Sequence, residues 1–268
     1  REIFAIEQVE VLRGPSGAFG GRGTTGGLVS LASKRASFDS SFVRADAGVG
    51  TDDYVRGTID GNVTSGPIAL RVNALWHRAD TPGRDEVYQK RSGIAAALAY
   101  KISEQLTLTV DGYHFRLNGL PDYGVPFDVT TQQPYAINRN NYYGVVGRDF
   151  LRNASDIGTM RLDWAPVEGL SFRAEGRIGE SDNAYVVGSP GSVCRVTRAA
   201  NGTCPSSGAA VPEDQYTVSI GSQRRDAETR AQVGLIEARG DFSTGPVSHT
   251  LIVGGELGHE TVDLYRLK

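Results

Sequence analysis

Long hydrophobic runs are missing from this sequence. No window approaches roughly 18 to 20 uncharged apolar residues, so no helix of it spans a bilayer. Cysteine is scarce, at 2 of 268 residues, which excludes a disulfide-dense miniprotein and a four-cysteine zinc site. Charge of one sign is not in excess. The 28 Lys+Arg against 31 Asp+Glu give a net −3, arguing against a nucleic-acid binder held by bulk charge. The four histidines, His77, His114, His249 and His259, are scattered. They form no His-x-x-x-His pair, so no metal site is expected. No Gly-x-Ser-x-Gly elbow and no Gly-Lys-Ser/Thr phosphate loop occurs. The chain is therefore expected to have no catalytic residues, no enzymatic activity and no cofactor.

Glycine is abundant, with 34 residues spread along the whole chain, so no low-complexity tract results. The chain opens on Arg1 and its single methionine is Met160. No initiator methionine, signal peptide or targeting segment is recognisable, and the expectation is a piece of a longer protein.

From Phe42 onward the apolar pattern has a period of two. Ile68, Leu70, Val72, Ala74 and Trp76 share one face, while Arg71, Asn73 and His77 lie on the other, joined by the less typical Ala69 and Leu75. Alternation of this kind gives each strand one apolar and one polar face. Nine strands are expected: 41–50, 53–63, 67–79, 91–102, 105–116, 155–165, 169–185, 225–242 and 247–262. Most have about ten residues or more, longer than globular strands and suited to a tilted membrane crossing.

The connections alternate in kind. Thr64-Ser65-Gly66, Ser103-Glu104, Pro166-Val167-Glu168 and Ser243-Thr244-Gly245-Pro246 are tight. Between them fall Thr51-Asp52, about a dozen residues after Ala79, and two long stretches near 117–154 and 186–224. Long loops on one end and tight turns on the other are the asymmetry of an outer-membrane barrel. Tyr100 and Trp164 at the tight-turn ends, and Trp76 at the opposite end, all lie on the apolar faces, as two interfacial girdles require. Nine strands do not close a bacterial barrel, which has an even number, and unpaired sheet edges are not tolerated in lipid.

The segment before the strands is different. Val9–Leu12 and Leu28–Leu31 read as short strands, and residues 14–27 between them hold seven glycines and one proline. On spacing alone this is a hairpin with a long glycine loop.

The string VEVLRGPSGAFGGRGTTGGLVSLASKR, with Val9 to Pro15, Phe19-Gly20, Gly26-Gly27 and Lys34, resembles the end of the plug domain of TonB-dependent outer-membrane receptors. Phe19 stands where tyrosine is commoner. Further on, GLPDYGVPFD, NRNNYYGVVGRDFLRNASDIGTMRLDW and YVVGSPG are similar to the catecholate-type siderophore receptors of that family. The resemblance implies an all-β fold: the last stretch of a plug (1–37) followed by the first nine strands (38–268) of a 22-stranded transmembrane barrel. It implies TonB-dependent import of a ferric siderophore across the outer membrane of a Gram-negative bacterium. The partners implied are the ferric siderophore, the TonB complex through a segment outside this chain, and outer-membrane lipid. Another iron chelate, a cobalamin-like cofactor or a glycan is an alternative cargo. A passive pore or adhesin, the alternative of another class, gives no reason for the plug string.

In the family, the residue matching Arg13 helps lock plug to barrel wall through carboxylates on later strands, as guanidinium geometry suits. A solvated turn arginine is the alternative. Gly14, Pro15, Gly20, Gly26 and Gly27 are expected to shape tight plug turns. The loop 118–153 holds six of the 22 aromatic residues, about twice the even share. Tyr123, Phe127, Arg139, Tyr142, Tyr143 and Arg148 are candidates for ligand binding, since a ferric catecholate is an anion bearing aromatic rings. Self-packing of the loop on its Tyr and Phe is the competing explanation. Cys194 and Cys204 enclose nine residues in a long loop, and a disulfide between them is expected in the oxidising periplasm.

Overall fold

The computed structural model describes residues 2–14, 26–128, 131–195 and 216–265. Pro15, Gly20 and Cys204 lie outside them, and with Cys204 the expected disulfide.

No helix occurs among the described residues. A hairpin of β1 (Ile6–Arg13) and β2 (Gly27–Ser33) precedes the sheet strands β3 (Phe42–Val49), β4 (Val55–Ser65), β5 (Ile68–Asp80), β6 (Tyr88–Lys101) and β7 (Leu106–Gly119). Two short strands, β8 (Phe127–Asp128) and β9 (Gln133–Pro134), pair within the following loop. Then come β10 (Phe150–Val167), β11 (Leu170–Arg195), β12 (Tyr216–Thr244) and β13 (Val247–Leu264). β3 to β7 and β10 to β13 form one nine-stranded antiparallel sheet in chain order.

All nine expected strands are present and the turn parity holds. Gly66, Gly169 and Gly245 take positive φ (54°, 79° and 59°) in three of the four tight turns. The observed strands are longer at the other end. β11 and β12 stay paired from Val186↔Arg224 up to Pro190↔Ile220, then beyond a bulge to Arg195↔Tyr216. The ladder continues there although the apolar/polar alternation has faded, which is why the expected strands stop short.

The apolar face is the exposed one. Ile68, Leu70 and Trp76 of β5, Ile94 and Leu98 of β6 and Met160 and Trp164 of β10 are all open, while Arg71, Asn73 and His77 on the opposite face of β5 are buried. A water-soluble sheet would do the reverse. The outward stripe suits lipid. Aromatic side chains sit at both margins of that stripe. Trp164 stacks on Phe172 near the tight turns (5.3 Å), and Tyr88 and Phe150 lie at the long-loop margin.

The inner face of β4 to β7 is covered by the N-terminal segment. Phe4 packs among Leu75, Phe115 and Ala5, and its ring stacks on Tyr113 at 5.8 Å. Burying such a ring contributes about 1.5–3 kcal/mol. Gly93 makes room for it, since a Cβ there would lie 2.7 Å from the Phe4 ring. Ala69 and Leu75, the two residues out of place on a polar face, are both buried, Leu75 against Phe4 of this segment.

Candidate ligand-facing loop and the latch beneath it

Ion pairs hold the N-terminal segment to the wall. Asp60 accepts a forked pair from Arg71, Nε at 2.9 Å and Nη2 at 2.8 Å, and is 2.9 Å from Lys34 Nζ at the end of β2. Arg71 also reaches Glu7 of β1 at 2.8 Å and donates to the Arg35 carbonyl at 3.1 Å. Near the chain start, Glu2 accepts from Arg56 (2.8 Å) and Arg91 (2.6 Å). Burial pushes the Glu2 carboxyl up, but the two guanidinium groups outweigh it and hold it below the usual carboxylate range. Asn62, fully buried, donates to the carbonyls of Ser37 (2.9 Å) and Ser40 (2.7 Å) and accepts from the Ser37 N–H (2.9 Å). These groups come from positions 2 to 71 and 91, so no local string announces them.

Arg13 ends β1, exposed, with no ion pair among the described residues. Gly14 and Gly27 adopt positive φ (90° and 132°), and a Cβ on Gly27 would run into the Leu12 carbonyl. Gly26 closes the same turn through its carbonyl, which accepts from Gly14 N–H at 3.3 Å.

At the long-loop end, the described residues between 120 and 149 fold around one buried carboxylate. Asp149 Oδ2 accepts from the Tyr142 hydroxyl (3.0 Å), the Val145 N–H (3.0 Å) and the Gly188 N–H of β11 (2.7 Å). Its Oδ1 accepts from Arg148 Nε at 2.7 Å. Burial pushes the carboxyl up; the Arg148 guanidinium and the two backbone N–H donors outweigh it and hold Asp149 below the usual range. For Tyr142, burial first and then the bond to Asp149 raise the hydroxyl well above its ordinary value, so it stays a donor. Glycine is required on both sides of this knot. A Cβ on Gly144 would lie 2.6 Å from Asp149 Oδ2, and one on Gly188 only 2.7 Å from the same atom.

A second latch comes from the β5–β6 connection. Arg84 forks onto Asp122 (2.7 and 2.8 Å) and also donates to the carbonyls of Gly124 (3.2 Å) and Arg139. Its guanidinium lies 6.0 Å from the Tyr143 ring centre.

The six aromatic and arginine candidates are thus divided. Tyr142 and Arg148 bond to Asp149, and the buried Tyr143 donates to the Asn138 carbonyl at 2.6 Å. Tyr123, Phe127 and Arg139 are exposed, the Tyr123 hydroxyl donating to Gln223 of β12 at 3.0 Å. Asp149, Arg84 and Asp122, which organise the loop, are not among the sequence candidates. For Asp149 alone, the Gly-Val-Val-Gly-Arg-Asp run at 144–149 is a signal, an acid after two glycines in an aromatic loop.

No family model matches the chain. Among curated proteins it is 32% identical to the probable TonB-dependent receptor BfrD of Bordetella pertussis, across 96% of this chain and 33% of BfrD. It is 29% identical to the probable TonB-dependent siderophore receptor PiuA of Acinetobacter baumannii, across 98% of this chain and 34% of PiuA. Among solved structures, the open form of the ferric-catecholate import receptor Fiu from Escherichia coli K12 superposes on all of the chain and 41% of its own, with a TM-score of 0.84 and 25% identity. The chain spans about a third of the length of the curated relatives it matches. Sequence and sheet agree in placing it in the TonB-dependent receptor family.

Proposed function

We propose that the chain is the stretch of a TonB-dependent outer-membrane receptor where the plug ends and the barrel begins, dividing near residue 37, and that the whole receptor imports a ferric siderophore of the catecholate type. The single observation that carries this reading is the ionic latch between residues 2–37 and the inner face of β4 to β6. A segment tied across the lumen by charged pairs blocks passive flow. Such pairs are breakable by force transmitted through the segment. The exposed aromatic and arginine side chains of the 120–149 loop suit capture of an anionic, ring-bearing chelate. The family placement supports TonB as the energy-coupling partner, and Fiu supports the catecholate class.

In the plug reading, Arg13 keeps its lock role with carboxylates from strands after β13. Gly14, Pro15, Gly20, Gly26 and Gly27 form the turns that carry it there. Cys194 and Cys204 close the β11–β12 loop. The test is growth of an iron-starved strain on defined siderophores, with the full-length gene deleted and restored. Growth on ferric catecholates that depends on the gene and on TonB is expected. Gene-dependent growth on another chelate class alone would move the cargo. Uptake without TonB would overturn the plugged-receptor reading.

A further inference from the structure

The connection between β5 and β6, residues 81–87, carries one arginine that reaches away from its own strands and grips the loop 120–149. Thr81-Pro82-Gly83-Arg84 closes as a β-turn, the Arg84 N–H donating to the Thr81 carbonyl at 3.1 Å. Proline at its second position and a glycine with φ of 67° at its third are what a type II turn favours. The Thr81 N–H donates to the Val87 carbonyl at 2.8 Å, and Val87 is buried, so the base of the connection is closed as well. Arg84 therefore leaves a stiff turn rather than a free loop.

What its guanidinium holds is specific. The forked pair on Asp122 and the bond to the Gly124 carbonyl lie on either side of Tyr123. Asp122 also accepts from the Gly124 N–H at 2.9 Å, closing a turn with Tyr123 at its tip. Nη1 donates to the Arg139 carbonyl, and the next residue of the connection, Asp85, donates its N–H to the Asn140 carbonyl at 2.7 Å. Two backbone stretches, 122–124 and 139–140, are thus brought together at one side chain. Each carries an outward group: the Tyr123 ring and the Arg139 side chain are exposed.

Arg84 itself is not free to meet a ligand. Its bonds to Asp122, Gly124 and Arg139 use four of the five N–H groups of a guanidinium, and its side chain is 11% exposed. Tyr123 and Arg139 have the opposite character. The Tyr123 hydroxyl is anchored on Gln223 while its ring stays exposed, and Arg139 has no carboxylate partner among the described residues. Asp122 and Asp149 are paired; Asp85, Glu86 and Asp128 are the further acids of the two segments. The surface therefore offers a placed ring and a placed cation, not a surplus of positive charge.

We propose that Arg84 is a positioning residue for ligand capture, setting the Tyr123 ring and the Arg139 guanidinium as a two-point seat for one catecholate arm of the ferric chelate. The ring of the arm stacks on Tyr123, and its anionic oxygens accept from Arg139. The inference rests on the catecholate reading above and adds to it which groups meet the arm and what fixes their spacing. A ring and a cation held in place before the ligand arrives lose little freedom on binding, and this is how Arg84 contributes affinity without touching the ligand. Lysine does not replace it, because a point charge cannot fork onto Asp122 and span two carbonyls at once.

The test measures the affinity of the purified full-length receptor for the ferric complex of a synthetic hexadentate tris-catecholate. Arg84→Gln and Arg84→Lys are each expected to weaken binding about tenfold. A double-mutant cycle separates positioning from general loosening. In the background Tyr123→Ala/Arg139→Gln, the further change Arg84→Gln is expected to weaken binding by less than about twofold, because what it positions is gone. Exchange of the Gly124 and Asp85 amides should rise in Arg84→Gln, while the Gly188 amide, held by Asp149, keeps its protection. Equal losses in the two backgrounds, or lost protection of Gly188, would mean that Arg84 supports the loop as a whole, and overturn the seat. Unchanged affinity on Arg84→Gln overturns it too. An unaltered receptor that binds no ferric tris-catecholate removes the catecholate reading and the seat with it, whereas binding indifferent to Arg84, Tyr123 and Arg139 removes the seat alone.

Discussion

Strands β4 to β7 and strands β11 to β13 belong to one sheet and carry the same alternation, and within this chain, which spans about a third of the length of its relatives, only the first group has its inner face covered. Under the N-terminal segment, Asp60, Arg71, Asn62 and Asn73 are buried and most of their polar atoms bonded. Along β13 nearly every side chain of both faces is exposed. On the inner face of β12, the Arg239–Asp241 pair likewise lies open on the surface. The outward faces do not differ in kind: Leu70 and Leu98 are exposed, as are Ile236 and Val253. The sheet therefore needs no partner to set which face is apolar. What the N-terminal segment adds is a second layer on the polar side, where it converts solvated charges into buried, matched ones. Burial makes removing one partner of such a match costly, because the other charge is left uncompensated.

The largest expected effect comes from breaking a match on the covered side. Asp60→Ala in the full-length receptor leaves Arg71 and Lys34 without their shared carboxylate, and removing one partner of such a buried pair costs about 3–5 kcal/mol. Denaturant unfolding of the purified receptor should show this loss, with faster hydrogen exchange across residues 27–37. Arg239→Ala, on the uncovered inner face of β12, should change neither measurably. Equal responses at the two sites would mean that the segment adds no burial energy, and the contrast between the regions would collapse.

Much of this contrast was readable in advance, and what was not has a physical cause. The nine strands and the parity of their turns follow from side-chain alternation, a local property. Leu75 broke the alternation because Phe4 covers it, so the sequence held a trace of the covering layer without naming it. The latch could not be read. Glu2, Glu7 and Lys34 are ordinary charges until folding brings them to Arg56, Arg71 and Asp60. The loop was partly legible: its length and aromatic richness were visible, but Asp149 gathers donors from positions 142, 145, 148 and 188, and no spacing encodes that set. An aromatic count cannot tell a ring that holds a loop from one that offers itself to a ligand.

The next effect sharpens the claim that both regions share one outward face. Ile236 and Leu235 are neighbours on β12 with opposite directions. Ile236→Arg should cost about 2–4 kcal/mol when the full-length receptor folds into bilayers, as for a cation at mid-membrane. Leu235→Arg should cost much less, since its register partners are Glu175 and Glu256. Equal penalties at 235 and 236 would refute the assignment of faces.

Asp149→Asn should come below that, at about 1–3 kcal/mol for buried donors left poorly matched. The effect should be local, read as faster exchange of the Val145 and Gly188 amides with the sheet unchanged. The pH dependence has a definite sign. A carboxyl held below its unfolded value stabilises the folded loop fully above the usual carboxylate range, and that stability is lost as pH falls through the lowered folded value. Protection of Gly188 should thus be constant from neutral pH down to the ordinary aspartate range near 3.8 and fall only below it. In the Asn variant it should be weak throughout. Loss of protection already at mildly acidic pH would contradict the assigned donors.

The smallest effect concerns the ligand, and it separates rings that hold the loop from rings that face out of it. Tyr123 is 52% exposed and Phe127 48%, whereas Tyr143 is 7%. Replacing Tyr123 and Phe127 together by Ala should weaken binding of a ferric catecholate to the full-length receptor by about 0.5–1.5 kcal/mol per ring that stacks. The Asp149 knot should remain, because neither ring takes part in it. Replacing Tyr142 and Tyr143 should instead speed exchange at Gly188, and any lost affinity should follow from that loosening. Arg139→Glu should weaken binding at low salt and matter less at high salt, since an exposed charge is screened over about 8–10 Å. Its role in the loop itself is through its carbonyl, which the Arg84 guanidinium reaches, and substitution of the side chain leaves that carbonyl in place. Affinity measured at two salt concentrations beside amide exchange therefore distinguishes three outcomes. Lost affinity with a firm loop assigns contact to the outward side chains. Lost affinity with a loosened loop assigns them a supporting role. Unchanged affinity in all variants moves capture to another part of the receptor.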